Sequence, residues 1–191
     1  MALTATLQDT HRHHPERCGP IKAYTLDMTT AGDLVVMTPS EGFSICLKRL
    51  YVSDGTGTTM EVKSRSPELA GTVATTNGSP TVTGTDTTFE TDYVAGQEIV
   101  IEDGNTLTVQ EVVSDTEITA TGNASSTVSE KAHQRQKTYM APELAANQGI
   151  WDSSSKHSYV LCTETNGALV LNSSGAVNNV FLHIFEGVVS V

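Results

Sequence analysis

Apolar and polar residues alternate at every second position over much of the chain, and this pattern predicts β-strands. The first group of alternating segments covers residues 22–28, 33–37, 43–52 and 59–63, and short turn clusters separate its members. Strands joined by short turns pair with their neighbours in antiparallel sheets. Since no segment has a convincing helical period, we predict an all-β protein.

Two further groups of segments follow, and they differ in composition. Between residues 71 and 129 the segments are short and rich in Thr. Two of them, 98–101 and 106–109, flank Asp103, Gly104 and Asn105, a strong hairpin signal. After Glu130 the charge balance and the alternation return to those of the first group. Strands are predicted there at residues 158–163, 168–171 and 179–186.

The three groups predict a discontinuous domain with an insertion. The first and last groups each offer too few strands for a stable sandwich, but together they supply about eight. We therefore predict an antiparallel, jelly-roll-like β-sandwich made of residues 21–66 plus 138–191. Residues 71–129 form a small inserted β-module. Residues 1–20 show no hydrophobic period and are predicted to be an N-terminal arm that orders on binding a partner.

Charge is distributed unevenly and supports this division. The chain has 22 acidic and 11 basic residues, a formal charge of -11. Residues 70–129 contain nine acids and no Lys, Arg or His, which leaves 22 - 9 = 13 acids and all 11 bases for the rest. The inserted module is therefore strongly acidic and the remainder nearly neutral. Such a module would repel phosphates, so we expect no nucleic-acid partner.

Composition limits the other function classes. Aromatic residues make up only 5% of the chain, which argues against an aromatic-lined cofactor pocket, and we expect no cofactor. No apolar stretch is long enough to span a membrane, and the first residues do not resemble a secretory leader, so we expect folding in a cytosol.

Cys18, Cys46 and Cys162 form no C-x-x-C pair. We expect all three to be reduced thiols, with Cys46 and Cys162 in the core.

The histidines near the N-terminus are the first candidate for chemistry. His11, His13 and His14 lie close enough in sequence to suggest a divalent metal, but no Cys or carboxylate stands at ligand spacing, so we expect no metal site. A second interpretation uses the charge of the same cluster. Arg12, His13, His14 and Arg17 would then form a basic segment that lies along an acidic partner surface.

Carboxylates of the inserted module are the second candidate. They can offer oxygen ligands to Ca²⁺, but the spacing of a calcium loop is missing, and a solvated acidic face is the better interpretation. These residues are Asp86, Glu90, Asp92, Glu98, Glu102 and Asp103.

Catalytic motifs are missing from the sequence. There is no G-x-S-x-G elbow, and neither His157 nor His183 stands in a recognisable catalytic context. His183 lies between Leu182 and Ile184, so its side chain is expected to face away from theirs. Trp151 is predicted to be a packing residue rather than a sugar platform. We therefore predict no catalytic residues and do not expect an enzyme.

Two parts of the chain resemble known proteins of tailed bacteriophages. Residues 71–85, with Phe89 and residues 94–101, resemble a small β-module that recurs in phage structural proteins, and residues 114–119 are similar to the stretch that closes it. Residues 50–62 and 167–180 resemble β-sandwiches of the jelly-roll kind found in head-decoration and tail-associated proteins.

This resemblance implies a virion protein that binds by shape and often forms a trimer. The expected function is that of a head-decoration, or cement, protein. It would bind the major capsid protein on the outer head surface after assembly in the host cytoplasm. Arg12, His13, His14 and Arg17 are the predicted capsid contact. The alternative is a tail or baseplate adhesin that binds host carbohydrate or protein.

The sequence itself also favours self-association. Residues 179–185 and 188–191 are apolar enough to leave unburied surface on a monomer, so we predict a homotrimer.

Overall fold

The protein is all-β with antiparallel sheets, which confirms the predicted fold class. The computed structural model describes residues 4–11, 21–52, 58–102, 105–141, 148–152 and 161–187.

Sixteen strands and one short helix make up the described chain. Their bounds are β1 Thr4–His11, β2 Ile21–Met28, β3 Gly32–Met37, β4 Ser44–Val52, β5 Met60–Arg65, β6 Thr72–Thr75, β7 Thr81–Thr85, α1 Phe89–Asp92, β8 Glu98–Ile101, β9 Thr106–Ser114, β10 Glu117–Ala120, β11 Val128–Lys131, β12 His133–Met140, β13 Gln148–Asp152, β14 Leu161–Cys162, β15 Ala168–Ser173 and β16 Val177–Gly187.

The chain divides into two compact units. Unit 1 consists of Met1–Ser64 and Thr138–Val191, and unit 2 is the continuous segment Arg65–Lys137. Unit 2 contains the whole of residues 71–129, the stretch that the sequence marks as a separate module. It is longer at both ends, because residues 130–137 belong to β11 and β12 and because Ser66 and Leu69 are hydrogen-bonded to β12.

Unit 1 is sandwich-like. One sheet has the strand order β1-β2-β16-β4-β13, with β14 also paired to β4, and a second group has the order β5-β15-β3. Strand β16 lies between β2 and β4, so that Leu182 is paired with Tyr24 on one side and Leu50 on the other. The late part of the chain therefore completes a sheet that the early part begins.

A large aliphatic core fills unit 1, and a smaller cluster of Ile21, Cys46 and Phe185 lies beside a disulfide. Burying one aliphatic side chain stabilises a fold by about 1.5–3 kcal/mol, so the large core is the main source of stability in the unit. Its buried members come from both groups of strands: Leu26, Met28, Leu34, Ile45, Leu47, Leu50, Val52, Met60, Val62, Leu169, Leu171, Val177, Val180, Leu182 and Ile184.

Strand β1 lies in a segment that the sequence assigns to an arm. Residues 4–11 pair with β2 over its whole length, from Thr4 opposite Asp27 to His11 opposite Ile21. Backbone groups make this pairing, and every residue carries them, so a strand can form without a hydrophobic period. The prediction of an arm is corrected for residues 4–11. Residues 12–20 lie outside the described residues.

Unit 2 has a sheet and a core of its own. Its strand order is β11-β6-β7-β10-β9-β8-β12. The predicted hairpin at residues 98–109 is confirmed, because β8 pairs with β9 from Glu98 opposite Thr108 to Val100 opposite Thr106. The buried cluster consists of Val73, Val82, Phe89, Tyr93, Ile99, Ile101, Leu107, Val109, Ile118, Ala120 and Ala124.

Strand β12 begins in the polar segment 133–137, where the sequence predicts no strand. It pairs with β8, with His133 opposite Ile101 and Gln136 opposite Glu98. His133 and Gln136 are both fully buried. Because these buried positions carry polar side chains, the strand shows no alternation of apolar and polar residues.

The two ends of unit 2 are joined by hydrogen bonds. Residues 65–70 run antiparallel to the first half of β12. The Ser66 N–H donates to the Arg135 carbonyl at 2.8 Å, and the Leu69 N–H donates to the His133 carbonyl at 3.0 Å. In return, the Arg135 N–H donates to the Ser66 hydroxyl at 2.9 Å. We call these contacts the basal ladder, and they close unit 2 at the point where the chain enters and leaves it.

A disulfide joins Cys46 on β4 to Cys162 on β14. The two residues are directly opposite in the register of the strands, and their Cα atoms are 4.0 Å apart. The expectation of reduced thiols is therefore wrong for Cys46 and Cys162, whereas Cys18 lies outside the described residues. The expected burial holds for Cys46, whereas Cys162 is half-buried. A separation of 116 residues hides this pairing in the sequence, since only the fold brings β14 beside β4.

We expect one free thiol, from Cys18, in protein denatured without reductant, and three after reduction. Cys162→Ser should lower the free energy of unfolding by about 2–4 kcal/mol because the bridge restricts the unfolded chain. Thiol titration and urea unfolding measure the two effects. Cys18→Ser serves as the control and should leave stability nearly unchanged, and three free thiols in the unreduced protein would contradict the bridge.

Candidate functional site

A groove on the surface of unit 2 is the main candidate for a binding site. Its volume is about 550 Å3. Three neighbouring segments supply its walls, namely residues 65–70, residues 100–102 at the end of β8, and residues 132–134 at the start of β12. The lining residues are Arg65, Glu68, Val100, Ile101, Glu102, Ala132 and Gln134.

The alternation of side chains along β8 and β12 creates this groove. Gln134 lies opposite Val100, and both line the groove, whereas their neighbours His133 and Ile99 are fully buried. The side chain of Gln134 is held in place, because its Nε2 donates to the Ser66 carbonyl at 3.1 Å. The groove is therefore the solvent-facing side of the same strands that form the core of unit 2.

Charged groups are ordered along the groove. At one end the Glu102 N–H donates to the Ala132 carbonyl at 3.0 Å. At the other end Arg65 Nε donates to Gln136 Oε1 at 2.7 Å. Glu68 lies between them in the chain segment that pairs with β12, and both glutamates are exposed. Two carboxylates and one guanidinium thus line the groove, so its lining combines both signs of charge.

A buried histidine and tyrosine form the second candidate. His133 Nε2 is 3.1 Å from the Ala70 carbonyl, which can only accept, so Nε2 carries the proton. His133 Nδ1 then accepts from the Tyr93 hydroxyl at 2.8 Å. Burial lowers the pKa of His133 and raises that of Tyr93. The Phe89 ring packs against both rings in T-shaped arrangements.

This pair is a structural link rather than a reactive site. His133 is fully buried and Tyr93 is 2% exposed, so neither group can reach a substrate in solution. Both imidazole nitrogens already have partners. The pair connects the segment after α1 to the start of β12, and it satisfies polar groups that would otherwise destabilise the core of unit 2.

Asn105 holds the loop at Ser125 and Ser126. Its Oδ1 accepts from the Ser125 N–H at 2.6 Å, and its Nδ2 donates to Thr75 Oγ1 at 3.0 Å and to the Ser126 carbonyl at 3.2 Å. The sequence presents Asn105 only as a turn residue of the β8–β9 hairpin. Its buried contacts involve residues about 20 and 30 positions away, which no local pattern indicates.

The predicted capsid contact, Arg12, His13, His14 and Arg17, lies outside the described residues, and so does His157. His183 is on β16, where Leu182 and Ile184 are fully buried and His183 is half-buried. This confirms that its side chain faces away from its two neighbours.

The acidic side chains of the module have local roles. The Thr88 hydroxyl donates to Asp92 Oδ2 at 2.8 Å, and the Glu90 N–H donates to Asp115 Oδ1 at 3.2 Å. Within the described ranges, no group of three His, Cys, Asp or Glu residues could hold a metal ion. Over the same residues, no helix is long and apolar enough to cross a bilayer.

No family model, curated protein or solved structure matches this chain. Its function is therefore inferred from its own residues and their geometry.

The buried His133 predicts a pH dependence of stability. Its pKa is lowered from 6.5 in the folded protein, so the unfolded chain binds more protons as the pH falls below that value. We expect the free energy of unfolding to decrease from pH 7 towards pH 5, and His133→Gln should remove part of this slope. Urea unfolding at several pH values measures the effect.

His183→Gln controls for the loss of a histidine and should keep the slope. An NMR titration in which the His133 ring titrates above pH 6.5 would show that burial does not control the pKa of this group.

Proposed function

We propose that the protein is a decoration protein of a tailed-bacteriophage head. It would bind the outer surface of the capsid and stabilise contacts between neighbouring subunits of the major capsid protein. The observation that carries the proposal is the separation of the chain into a sandwich-like unit and an inserted acidic unit with its own core. This arrangement suits a protein that attaches through one part and presents the other to solvent.

The strand order of unit 1 supports a jelly roll, the finer fold assignment of this proposal. Strand β2 pairs with the last strand, β16. Strand β3 pairs with β15, the strand that comes just before the last. Such nested pairing of early and late strands results when a long antiparallel hairpin folds over on itself. Jelly rolls are frequent in viral shells, where they bind by surface shape.

The acidic module supports a position on the outside of a particle. Residues 70–129 carry nine acids and no Lys, Arg or His. A surface of one charge sign resists non-specific association and keeps a crowded array soluble. The basal ladder closes this unit at its point of insertion. A unit of this kind can be presented to solvent while the other unit contacts the capsid.

The capsid contact is assigned to unit 1. Arg12, His13, His14 and Arg17 remain the residues predicted to take part in it, and a trimer remains the predicted oligomer. In this proposal the protein folds in the host cytoplasm and joins the head during assembly.

A second function, that of a tail or baseplate adhesin, is favoured by one aromatic pair. Tyr51 and Phe181 lie opposite each other on β4 and β16, with ring centroids 6.2 Å apart. Phe181 is 39% exposed. Exposed aromatic rings bury a large area on contact with a ligand, and they can anchor a sugar or a receptor protein.

Copy number and location in purified particles separate the two functions. For a decoration protein we expect a fixed stoichiometry with the major capsid protein, measured by quantitative mass spectrometry, and density on the outer head in cryo-electron microscopy. Absence from the particle, or density confined to the tail, would contradict the proposal. If the protein is a decoration protein, the double variant Tyr51→Ser/Phe181→Ser should still bind heads. If it is an adhesin, particles that carry this variant would lose adsorption to the host.

A further inference from the structure

Met37, on β3, has polar groups around its sulfur atom. Lys22 Nζ and the Tyr24 hydroxyl each lie 3.9 Å from Met37 Sδ, and both donate to it. A thioether sulfur is a weak acceptor, so the unmodified side chain makes little use of either donor. Met28 and Met60 are fully buried among aliphatic side chains, whereas Met37 is half-buried and can be reached by a small solute.

The two donors come from a strand of the facing sheet. Lys22 and Tyr24 lie two residues apart on β2, so their side chains point to the same face of that strand. Tyr24 and Met37 both pack against the large core of unit 1. Strand β2 belongs to the sheet β1-β2-β16-β4-β13, and β3 belongs to the group β5-β15-β3. The sulfur of Met37 therefore lies where one group of strands meets the other.

The groups on β2 suit an acceptor stronger than a thioether. A lysine ammonium group carries three N–H donors and no acceptor. Burial and the nearby Glu186 raise the pKa of Tyr24 above its usual value of 10.0, so its hydroxyl keeps its proton. Oxidation converts a methionine thioether into a polar sulfoxide, and the sulfoxide oxygen is an acceptor of this stronger kind.

We propose that Met37 is a site of oxidation by hydrogen peroxide or an organic hydroperoxide, and that Lys22 and Tyr24 bind the sulfoxide that forms. The sulfur attacks one oxygen of hydrogen peroxide, the O–O bond breaks, and this oxygen stays on the sulfur. The other oxygen leaves as hydroxide and takes up the remaining proton to give water. The sulfur loses two electrons and the peroxide gains them, so no further reactant is needed.

Oxidation at this position should stabilise unit 1. A sulfoxide in an aliphatic core is a buried polar group without a partner, and it destabilises the fold. At Met37 the new oxygen has the Lys22 ammonium and the Tyr24 hydroxyl as donors, so the modification adds hydrogen bonds between β3 and β2. The inference concerns the protein alone in solution and does not rest on the proposed function.

Peroxide treatment of the folded, full-length protein tests the proposal. Every variant carries Met140→Leu, which removes the other half-buried methionine among the described residues. Peptide mass spectrometry measures the oxygen taken up by each methionine, and thermal unfolding is followed before and after treatment. Met37→Leu removes the site with little change in volume. Tyr24→Phe/Lys22→Leu removes both donors and keeps the methionine.

We expect Met37 to be oxidised ahead of Met28 and Met60. With both donors present, treatment should raise the melting temperature by about 2–4 °C, because new hydrogen bonds form between the strands. In Tyr24→Phe/Lys22→Leu the same treatment should lower the melting temperature, since the new oxygen then lacks partners.

Two controls separate this site from oxidation elsewhere. Oxidation of Cys18, or of any other group, also occurs in Met37→Leu, which should show no rise in melting temperature. Tyr51→Phe removes the hydroxyl of another half-buried tyrosine of unit 1, and it should keep the rise.

Three results would overturn the proposal. They are a Met37 that stays reduced in the folded protein, an oxidised Met37 that leaves the melting temperature unchanged or lowers it while both donors are present, and a donor variant that shows the full rise. A rise that persists in Met37→Leu would assign the effect to another group, and would also overturn it.

Discussion

The basal ladder is the constraint on which the rest of the structure depends. It joins Ser66 to Arg135 and Leu69 to His133, so the chain leaves unit 2 beside the point where it enters. Without this closure, contacts between the early and late strands of unit 1 would have to close a loop of 73 residues, Arg65–Lys137, at a cost in chain entropy. With it, β16 can pair with β2 and β4 across an insertion that folds as a unit of its own.

The same closure also marks a boundary in the distribution of charged residues along the chain. Unit 2 has a core of its own, and the partners of the buried His133, namely Tyr93 and the Ala70 carbonyl, lie within the same unit. His133 illustrates the division, since burial keeps it neutral in the core while Gln134, one residue later, faces the groove. Most of the excess negative charge of the chain is therefore carried by unit 2.

The elements that the sequence predicts are those with a regular period or a strong turn signal. Strands β2 to β8, the β8–β9 hairpin, β15 and β16 are of this kind. Strands β1 and β12 were not predicted, because backbone pairing and buried polar side chains leave no alternation. The Cys46–Cys162 bridge and the groove are also invisible to local patterns, since each joins residues brought together only by the fold. Of the candidate site, the sequence indicated the acidic character of the module but not that Glu68 and Glu102 share a surface.

Hydrogen exchange on the isolated segment 65–137 tests the closure most directly. If the basal ladder and the core of unit 2 are sufficient, this segment folds cooperatively. The amide protons of Ser66, Leu69 and Arg135 then exchange as slowly as those of the β8–β9 hairpin. If unit 2 instead depends on the remainder of the chain, the segment is unfolded, or these three amides exchange at the rate of an open chain while the hairpin remains protected.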